Sequence, residues 1–393
     1  MIPPRPLAHR AATRLLESAW RSGRLPEPRL EPEALIEDSS RGAEGDDPDI
    51  VPVLTILLHS LREEAALNAL GRTMAYGQIR AILASRLRAQ TLWRHHPEIL
   101  DRPVAAPVVI LGQMRSGTTR LQRLLACDPQ FAGTAFFEAS VPVPPEGADL
   151  RTIQARLALA GLRAFNPALP AVHPTSPYAP EEQFGLLSFS LYGAQLEAQW
   201  RVPGFARYWR GTDKQVVYRG FKRLLQTIGW ARGDDPARPW LLKAPQFMED
   251  LPDFLRVFPD ARLLCLYRDP VQVVGSSASL VWNQMLIQSD AADPHWIGRE
   301  WLDVTARRAQ CAAHTRPAYP QANQLDLDFE ATTRDWLREM RRIYAFLGRP
   351  LTAVTETRMR RYQDRARRQP HHRHSYDLET FGLTEAAVRD RLR

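Results

Sequence analysis

The sequence predicts an α/β fold, in which a parallel β-sheet is covered by helices on both faces. Short apolar runs at 107–111, 239–245 and 261–267 alternate with segments of helical periodicity, the order that is typical of such sheets. The runs are almost continuously apolar, as expected of strands buried on both faces. The chain has 393 residues, which we divide into an N-terminal helical extension (1–103) packed on an α/β domain (104–393).

The N-terminal extension is predicted from helical periodicity. A short amphipathic stretch covers 11–20, and a stretch rich in Pro, Glu, Asp and Gly at 25–49 predicts loops. Leucines then recur at helical spacing from Leu54 to about residue 93. We expect the apolar face of this region to pack on the α/β domain and not on a membrane.

The remaining elements follow the first strand in order. Pro-rich loops come first, and helices follow the second and third strands. We predict loops at 141–146 and 166–180, helices over 181–232, 248–257 and 333–347, a weaker strand over 324–329, and a loop over the Arg- and His-dense tail at 358–374.

The composition predicts a soluble globular protein, with 44% hydrophobic and 24% charged residues. No apolar run approaches the roughly 20 residues of a membrane span, and the Arg-rich N-terminus lacks the apolar stretch of a secretory signal. Three cysteines fit neither a metal site nor a disulfide framework, which predicts the cytoplasm. The net charge of +8 comes mostly from dispersed arginine and forms no basic stripe, which argues against a nucleic-acid-binding protein.

The loop after the first strand has the form of a phosphate-binding loop. Gly112 and Gly117 have the spacing of the loop in nucleoside triphosphatases, and helical periodicity begins directly afterwards. The position after Gly117 is Thr118, where those enzymes carry Lys, and the cation lies inside the loop as Arg115. Backbone N–H groups and a helix N-terminus suit an anion. The sequence therefore predicts a P-loop-like site for a nucleotide without a triphosphate tail.

Two further cations end the other buried strands. Lys243 ends the strand at 239–245, and Arg268 follows the strand at 261–267. Ligands of parallel α/β sheets bind outside the carboxyl ends of the strands. We therefore expect both cations to share one crevice with the first loop.

These motifs resemble those of the PAPS-dependent sulfotransferases, in the bacterial branch with Arg-Ser-Gly-Thr-Thr in the first loop. PAPS is 3′-phosphoadenosine-5′-phosphosulfate. The second motif of that family is a strand that ends in Arg with Ser eight residues later, which Arg268 and Ser276 match. The two motifs lie in the family's order, about 150 residues apart, and the resemblance covers nearly the whole chain.

The resemblance implies a function and a set of binding residues. The chain would move the sulfuryl group from PAPS to a hydroxyl or amine of a small-molecule, lipid or glycan acceptor, leaving 3′,5′-ADP. Arg268 and Ser276 would bind the 3′-phosphate, and Arg115 and Lys243 would stabilise charge on the leaving 5′-phosphate without a metal. The 5′-phosphosulfate would be bound by Arg115, Ser116, Gly117, Thr118 and Thr119.

The acceptor needs a general base, and three candidates are present. Glu138 lies where several branches of the family carry a catalytic glutamate, and His173 lies in a loop that the family places near the acceptor. Glu181 and Glu182 come third, because they also suit the cap of a helix that begins after Pro180. Many members carry a catalytic histidine shortly after the strand-end lysine. None follows Lys243, which favours Glu138 or His173.

Two other interpretations of the sequence remain open. An atypical P-loop kinase would require magnesium and ATP, and the absence of Lys at position 118 argues against it. A catalytically inactive homologue would bind the nucleotide only, and the presence of Arg115, Lys243, Arg268 and Ser276 argues against that. The sequence leaves the acceptor and a possible homo-oligomer undetermined.

Overall fold

The computed structural model describes residues 5–41, 45–145, 147–165, 175–368 and 377–392. Its centre is a four-stranded sheet in the order β2-β1-β3-β4 with every neighbouring pair parallel. The strands are β1 (Val108–Leu111), β2 (Leu241–Lys243), β3 (Arg262–Tyr267) and β4 (Gln324–Asp328). The predicted α/β fold with a helix-covered parallel sheet is therefore confirmed.

Helices flank this sheet and occur in the following chain order. Up to β2 the described helices are α1 (Leu7–Arg21), α2 (Pro32–Ser40), α3 (Val51–Glu63), α4 (Ala69–His95), α5 (Thr118–Leu125), α6 (Phe136–Ser140), α7 (Arg151–Phe165), α8 (Phe184–Ser188), α9 (Ala194–Gln199), α10 (Pro203–Arg210) and α11 (Gln215–Arg232). After β2 come α12 (Gln246–Glu249), α13 (Leu251–Val257), α14 (Pro270–Gln288), α15 (Pro294–Thr315), α16 (Phe329–Arg334), α17 (Trp336–Leu347), α18 (Ala353–Arg368) and α19 (Glu385–Arg391).

The continuous apolar strands are buried on both faces because alternate side chains enter different clusters. Val109 and Leu242 pack in a cluster that also contains Leu54 and Leu57 of α3. Ile110 packs on the opposite face, in a cluster with Leu124 of α5. The apolar face of α3 thus packs in the same cluster as one face of the sheet. No helix in the described ranges combines the length and apolar content that a bilayer crossing requires.

Several predicted boundaries were wrong. The stretch at 25–49 contains helix α2, whose Pro32 begins the first turn and whose Leu35 is fully buried. The tail was predicted as a loop from 358, but α18 continues to Arg368 because Met359 is buried against the core; positions 369–376 lie outside the described residues.

Three predicted helices are interrupted. The region 181–232 is divided among α8, α9, α10 and α11, with Gly193, Pro203 and Gly211 at the breaks. The predicted helix over 248–257 is two short helices, and the second has a proline in its first turn, where the missing N–H is tolerated. Asp335 separates α16 from α17 because its side chain caps the second helix.

Candidate active site

The loop between β1 and α5 is shaped by two residues with left-handed backbone. Gly117 has φ of 93° and Arg115 has φ of 68°. The Ser116 hydroxyl donates to the Gln113 carbonyl at 2.6 Å, which closes the turn from inside. A Cβ on Gly112 would lie 2.6 Å from the methyl group of Thr118. The loop is therefore tight, and α5 begins directly after it with its first N–H groups available to an anion.

Lys243, at the carboxyl end of β2, joins this loop to a carboxylate. Its side chain is almost fully buried and forms an ion pair with Glu182. The same Nζ donates to the Thr119 hydroxyl at 2.9 Å, and that hydroxyl lies 3.5 Å from Oε1 of Glu182. We call Thr119, Glu182 and Lys243 the β2-side cluster. It combines a hydroxyl of the anion-binding loop, a cation and a carboxylate.

Gln183 explains how Glu182 reaches this position from a segment 60 residues away in sequence. The Lys243 N–H donates to Oε1 of Gln183 at 2.5 Å, and the Gln183 N–H donates to the Lys243 carbonyl at 3.3 Å. Gln183 is fully buried. The two bonds fix the residue next to Glu182 to the end of β2. No local sequence pattern indicates this contact, which is why Glu182 ranked last among the predicted base candidates.

Arg268, beyond the carboxyl end of β3, holds the other side of the loop. It donates to the carbonyl of Arg115 at 2.7 Å and to the side chain of Gln272 at 2.6 Å. Arg115 in turn donates from Nε to the hydroxyl of Ser276 on α14 at 2.9 Å. We call Arg115, Arg268 and Ser276 the β3-side cluster. Both strand-end cations therefore contact the first loop or the start of its helix, as the sequence predicts.

Phe329, the first residue of α16, supports the β3-side cluster. The Arg268 guanidinium lies over its ring, 4.2 Å from the centroid, which stabilises the cation. A Cβ on Gly117 would meet the same ring at 2.6 Å. Phe329 therefore fixes both the arginine and the turn. Within the described residues, the buried Nε of Arg268 has no hydrogen-bond partner. One N–H donor of this guanidinium is therefore not satisfied by the described protein groups.

Glu138 is held by contacts of a different kind. Its Oε1 accepts from Nε of Arg232 at 2.7 Å, and its Oε2 accepts from the same guanidinium. Oε2 also accepts from the Ala135 N–H at 2.8 Å, which caps α6. The carboxylate is 5% exposed. The carboxylate is thus held in an ion pair through both oxygens, and its Oε2 also caps a helix N-terminus.

The remaining predicted site residues are Ser116, Thr118 and His173, and the sequence also offers the tail residues Arg367, Arg368, His372, Arg373 and His374 as a cover for the 3′-phosphate. Ser116 and Thr118 lie buried in the loop. Arg367 and Arg368 end α18, which packs on α5. His173 and the tail residues His372, Arg373 and His374 lie outside the described residues.

A group of buried acids lies behind β2. Asp250 accepts from the hydroxyls of Tyr192 at 2.6 Å and Tyr218 at 2.9 Å. Burial raises the pKa of the Asp250 carboxyl to about 7, and burial also raises the pKa of Glu197 to about 7. Gln246 links this group to the chain just after Lys243 through a 3.3 Å bond to Asp250. Both pKa values lie well above the usual range of carboxyls, because burial disfavours the charged form.

Comparisons with known proteins agree with this geometry. A model of the sulfotransferase family matches residues 107–353, a range that contains both clusters. The structure resembles sulfotransferase STF1 from Mycobacterium tuberculosis H37Rv, with a TM-score of 0.81 and 27% identity over 93% of this chain and 99% of that one. It shares its fold with sulfotransferase STF9 from Mycobacterium avium, with a TM-score of 0.82 and 24% identity over 92% of this chain and 95% of that one. A search of curated protein sequences gives no match. The chain belongs to the sulfotransferase family.

Proposed function

We propose that this protein is a PAPS-dependent sulfotransferase that sulfates a hydroxyl or amine of a small-molecule, lipid or glycan acceptor and releases 3′,5′-ADP. PAPS, when bound, supplies the activated sulfuryl group. The observation that carries the proposal is the pair of clusters on either side of one anion-binding loop, Lys243 with Thr119 and Arg268 with Arg115. A nucleotide with separate 5′ and 3′ anionic groups needs two such positions.

The residues of the β3-side cluster fit the 3′-phosphate. Arg268 has a buried Nε without a partner among the described residues, and guanidinium donors suit phosphate oxygens. Ser276 and Arg115 supply a hydroxyl and a second cation beside it. We assign the 5′-phosphosulfate to the loop before α5 and the first turn of that helix, with Arg115, Ser116, Gly117, Thr118 and Thr119, and expect no metal there.

The residues of the β2-side cluster fit the transfer step. Lys243 and Arg115 are assigned to stabilise negative charge on the leaving 5′-phosphate. Glu182 is assigned as the general base that takes the acceptor proton on its carboxylate, because it contacts both Lys243 and Thr119. Of the other two base candidates, Glu138 is occupied by Arg232, and His173 remains a sequence-based prediction.

The ion pair between Lys243 and Glu182 suits a site whose base is released only when the donor nucleotide binds. In the structure Lys243 holds the Glu182 carboxylate in an ion pair. When Lys243 turns to the anionic nucleotide, the carboxylate loses that partner and is released to the acceptor hydroxyl. This exchange uses only the chain's own groups and needs no additional residue.

Calorimetry with 3′,5′-ADP in the presence of a chelator tests the donor assignment. We expect binding without metal, and incubation with PAPS labelled in its sulfuryl group should transfer the label to at least one member of a panel of phenols, sterols, lipids and glycans. Absence of 3′,5′-ADP binding at high protein concentration contradicts the proposal. Magnesium-dependent ATP binding in its place would identify a kinase.

A further inference from the structure

Helix α7 exposes an apolar stripe to solvent. Ile153 and Leu157, one turn apart, are 52% and 68% exposed. Ala160 and Ala164 continue the same helical face and are also exposed. The opposite face already packs inward through Ala155. A surface helix of a globular protein normally turns its polar face to water, so the outer face of α7 departs from the usual pattern.

Helix α1, which packs against α7, repeats this arrangement. Leu7 is 76% and Leu15 is 70% exposed. They lie two turns apart, with the exposed Ala11 between them. The inward side of α1 is fixed by His9, whose buried ring bonds the Ile287 carbonyl at 2.7 Å. The exposed leucines are therefore not the packing face of this helix.

Arginine flanks both apolar stripes. Arg14 on α1 and Arg156 on α7 are exposed beside the leucines. Helix α7 contains neither Asp nor Glu, and α1 contains only Glu17. Helices that lie in a membrane interface have this combination of an apolar face and flanking cations. We define the α1/α7 face by its residues: Leu7, Arg14, Leu15, Ile153, Arg156 and Leu157.

We propose that the α1/α7 face docks on an anionic lipid bilayer. Such a surface offers acyl chains to the leucines and phosphate groups to the arginines. A second copy of the chain fits less well. A two-fold interface brings the same patch against itself, and this face offers its arginines almost no carboxylate.

Two hydrogen bonds connect helix α7 to the segment that carries Glu182. Arg163, at the end of α7, donates to the Thr175 carbonyl at 3.4 Å. The Thr175 hydroxyl donates to Glu181 at 3.1 Å, and Glu181 precedes Glu182. If the proposed sulfuryl transfer holds, the acceptor is an amphipathic molecule taken from the bilayer. This consequence rests on the proposed function, whereas the docking does not.

Vesicle sedimentation tests the docking. Full-length protein is mixed with phosphatidylcholine vesicles, with and without phosphatidylglycerol. We expect binding to the anionic vesicles, and a loss of about tenfold or more in partitioning for the double variant I153E/L157E. The R14A/R156A variant should lose the preference for anionic over neutral vesicles. The control is Val354→Glu on α18, which alters a 62% exposed apolar residue outside the face and should bind like the parent.

Calorimetry with 3′,5′-ADP on the same variants shows whether the fold is intact and keeps the two proposals separate. Equal vesicle binding by I153E/L157E and the control, or no binding to anionic vesicles at low salt, overturns the docking. A dimer in sedimentation equilibrium that I153E/L157E abolishes, without vesicle binding, assigns the face to a second copy and also overturns it.

Discussion

The two sides of the phosphate loop hold cations in contrasting ways. On the β2 side, Lys243 is almost fully buried and pairs with the carboxylate of Glu182. On the β3 side, Arg268 is half-buried, stacks on Phe329 and donates to a backbone carbonyl and an amide oxygen. Arg268 donates to neutral groups in these contacts and keeps its attraction for an added anion, whereas Lys243 is paired with a carboxylate and must exchange partners. The difference suggests binding on the β3 side and proton transfer on the β2 side.

The largest expected effect separates the two glutamates. Glu182→Gln should lower kcat by about 10²–10⁴, the usual contribution of a general base. Glu138→Gln should leave kcat within a few-fold and should lower thermal stability, because Arg232 loses its buried partner. Steady-state rates and thermal unfolding of both variants measure this contrast. A normal kcat for Glu182→Gln with a collapsed kcat for Glu138→Gln would reverse the assignment.

The next effect concerns nucleotide affinity. Arg268→Ala should weaken 3′,5′-ADP binding by about 2–5 kcal/mol, as expected when one partner of a buried charged contact is removed. Calorimetry measures this change. The matched control is Arg256→Ala on α13, which removes an exposed arginine paired with its neighbour Asp253 and should leave the affinity unchanged. Equal losses in both variants would mean that general charge, and not the β3-side cluster, binds the nucleotide.

The third test measures how the stability of the protein, and not its catalysis, depends on pH through Asp250. Asp250 has a folded-state pKa of about 7 against an ordinary value of 3.8. Since the folded state holds the proton more tightly, its contribution is complete below pH 3.8 and is lost as pH rises towards 7. The loss is at most about 1.4 kcal/mol per pH unit for this group.

Asp250→Asn should therefore flatten the decline in unfolding free energy between those two pH values. Part of the slope should remain, because the pKa of Glu197 is raised in the same way. Urea unfolding at a series of pH values measures it. An unchanged slope would show that Asp250 is ionised in the folded protein.

The smallest effect is expected from Ser276→Ala. It removes the 2.9 Å hydrogen bond to Nε of Arg115, which predicts a loss of about 0.5–1.5 kcal/mol in 3′,5′-ADP affinity. Ser140→Ala is the control, because its exposed hydroxyl donates to the Phe136 carbonyl within α6. A loss as large as that of Arg268→Ala would mean that the Ser276 hydroxyl contributes as much to binding of the 3′-phosphate as the Arg268 guanidinium does.

The sheet and the strand ends could be predicted from the sequence because they depend on local patterns. Continuous apolar runs mark β1, β2 and β3, and Gly112 with Gly117 marks the loop. The position of Glu182 could not be predicted, since it depends on the pairing of Gln183 with a strand 60 residues away. The engagement of Glu138 by Arg232 is non-local for the same reason. The helix at 353–368 was not predicted because its many arginines suggested a solvated loop. The helix is held in place by Met359, which is fully buried.

The reciprocal bonds between Gln183 and the backbone of Lys243 have a consequence for how such an enzyme can diversify. They tie the proposed base to β2, an edge strand of the sheet. A substitution elsewhere in the chain that leaves these two bonds intact should therefore not displace the carboxylate. The proposed base can keep its position while other parts of the sequence change.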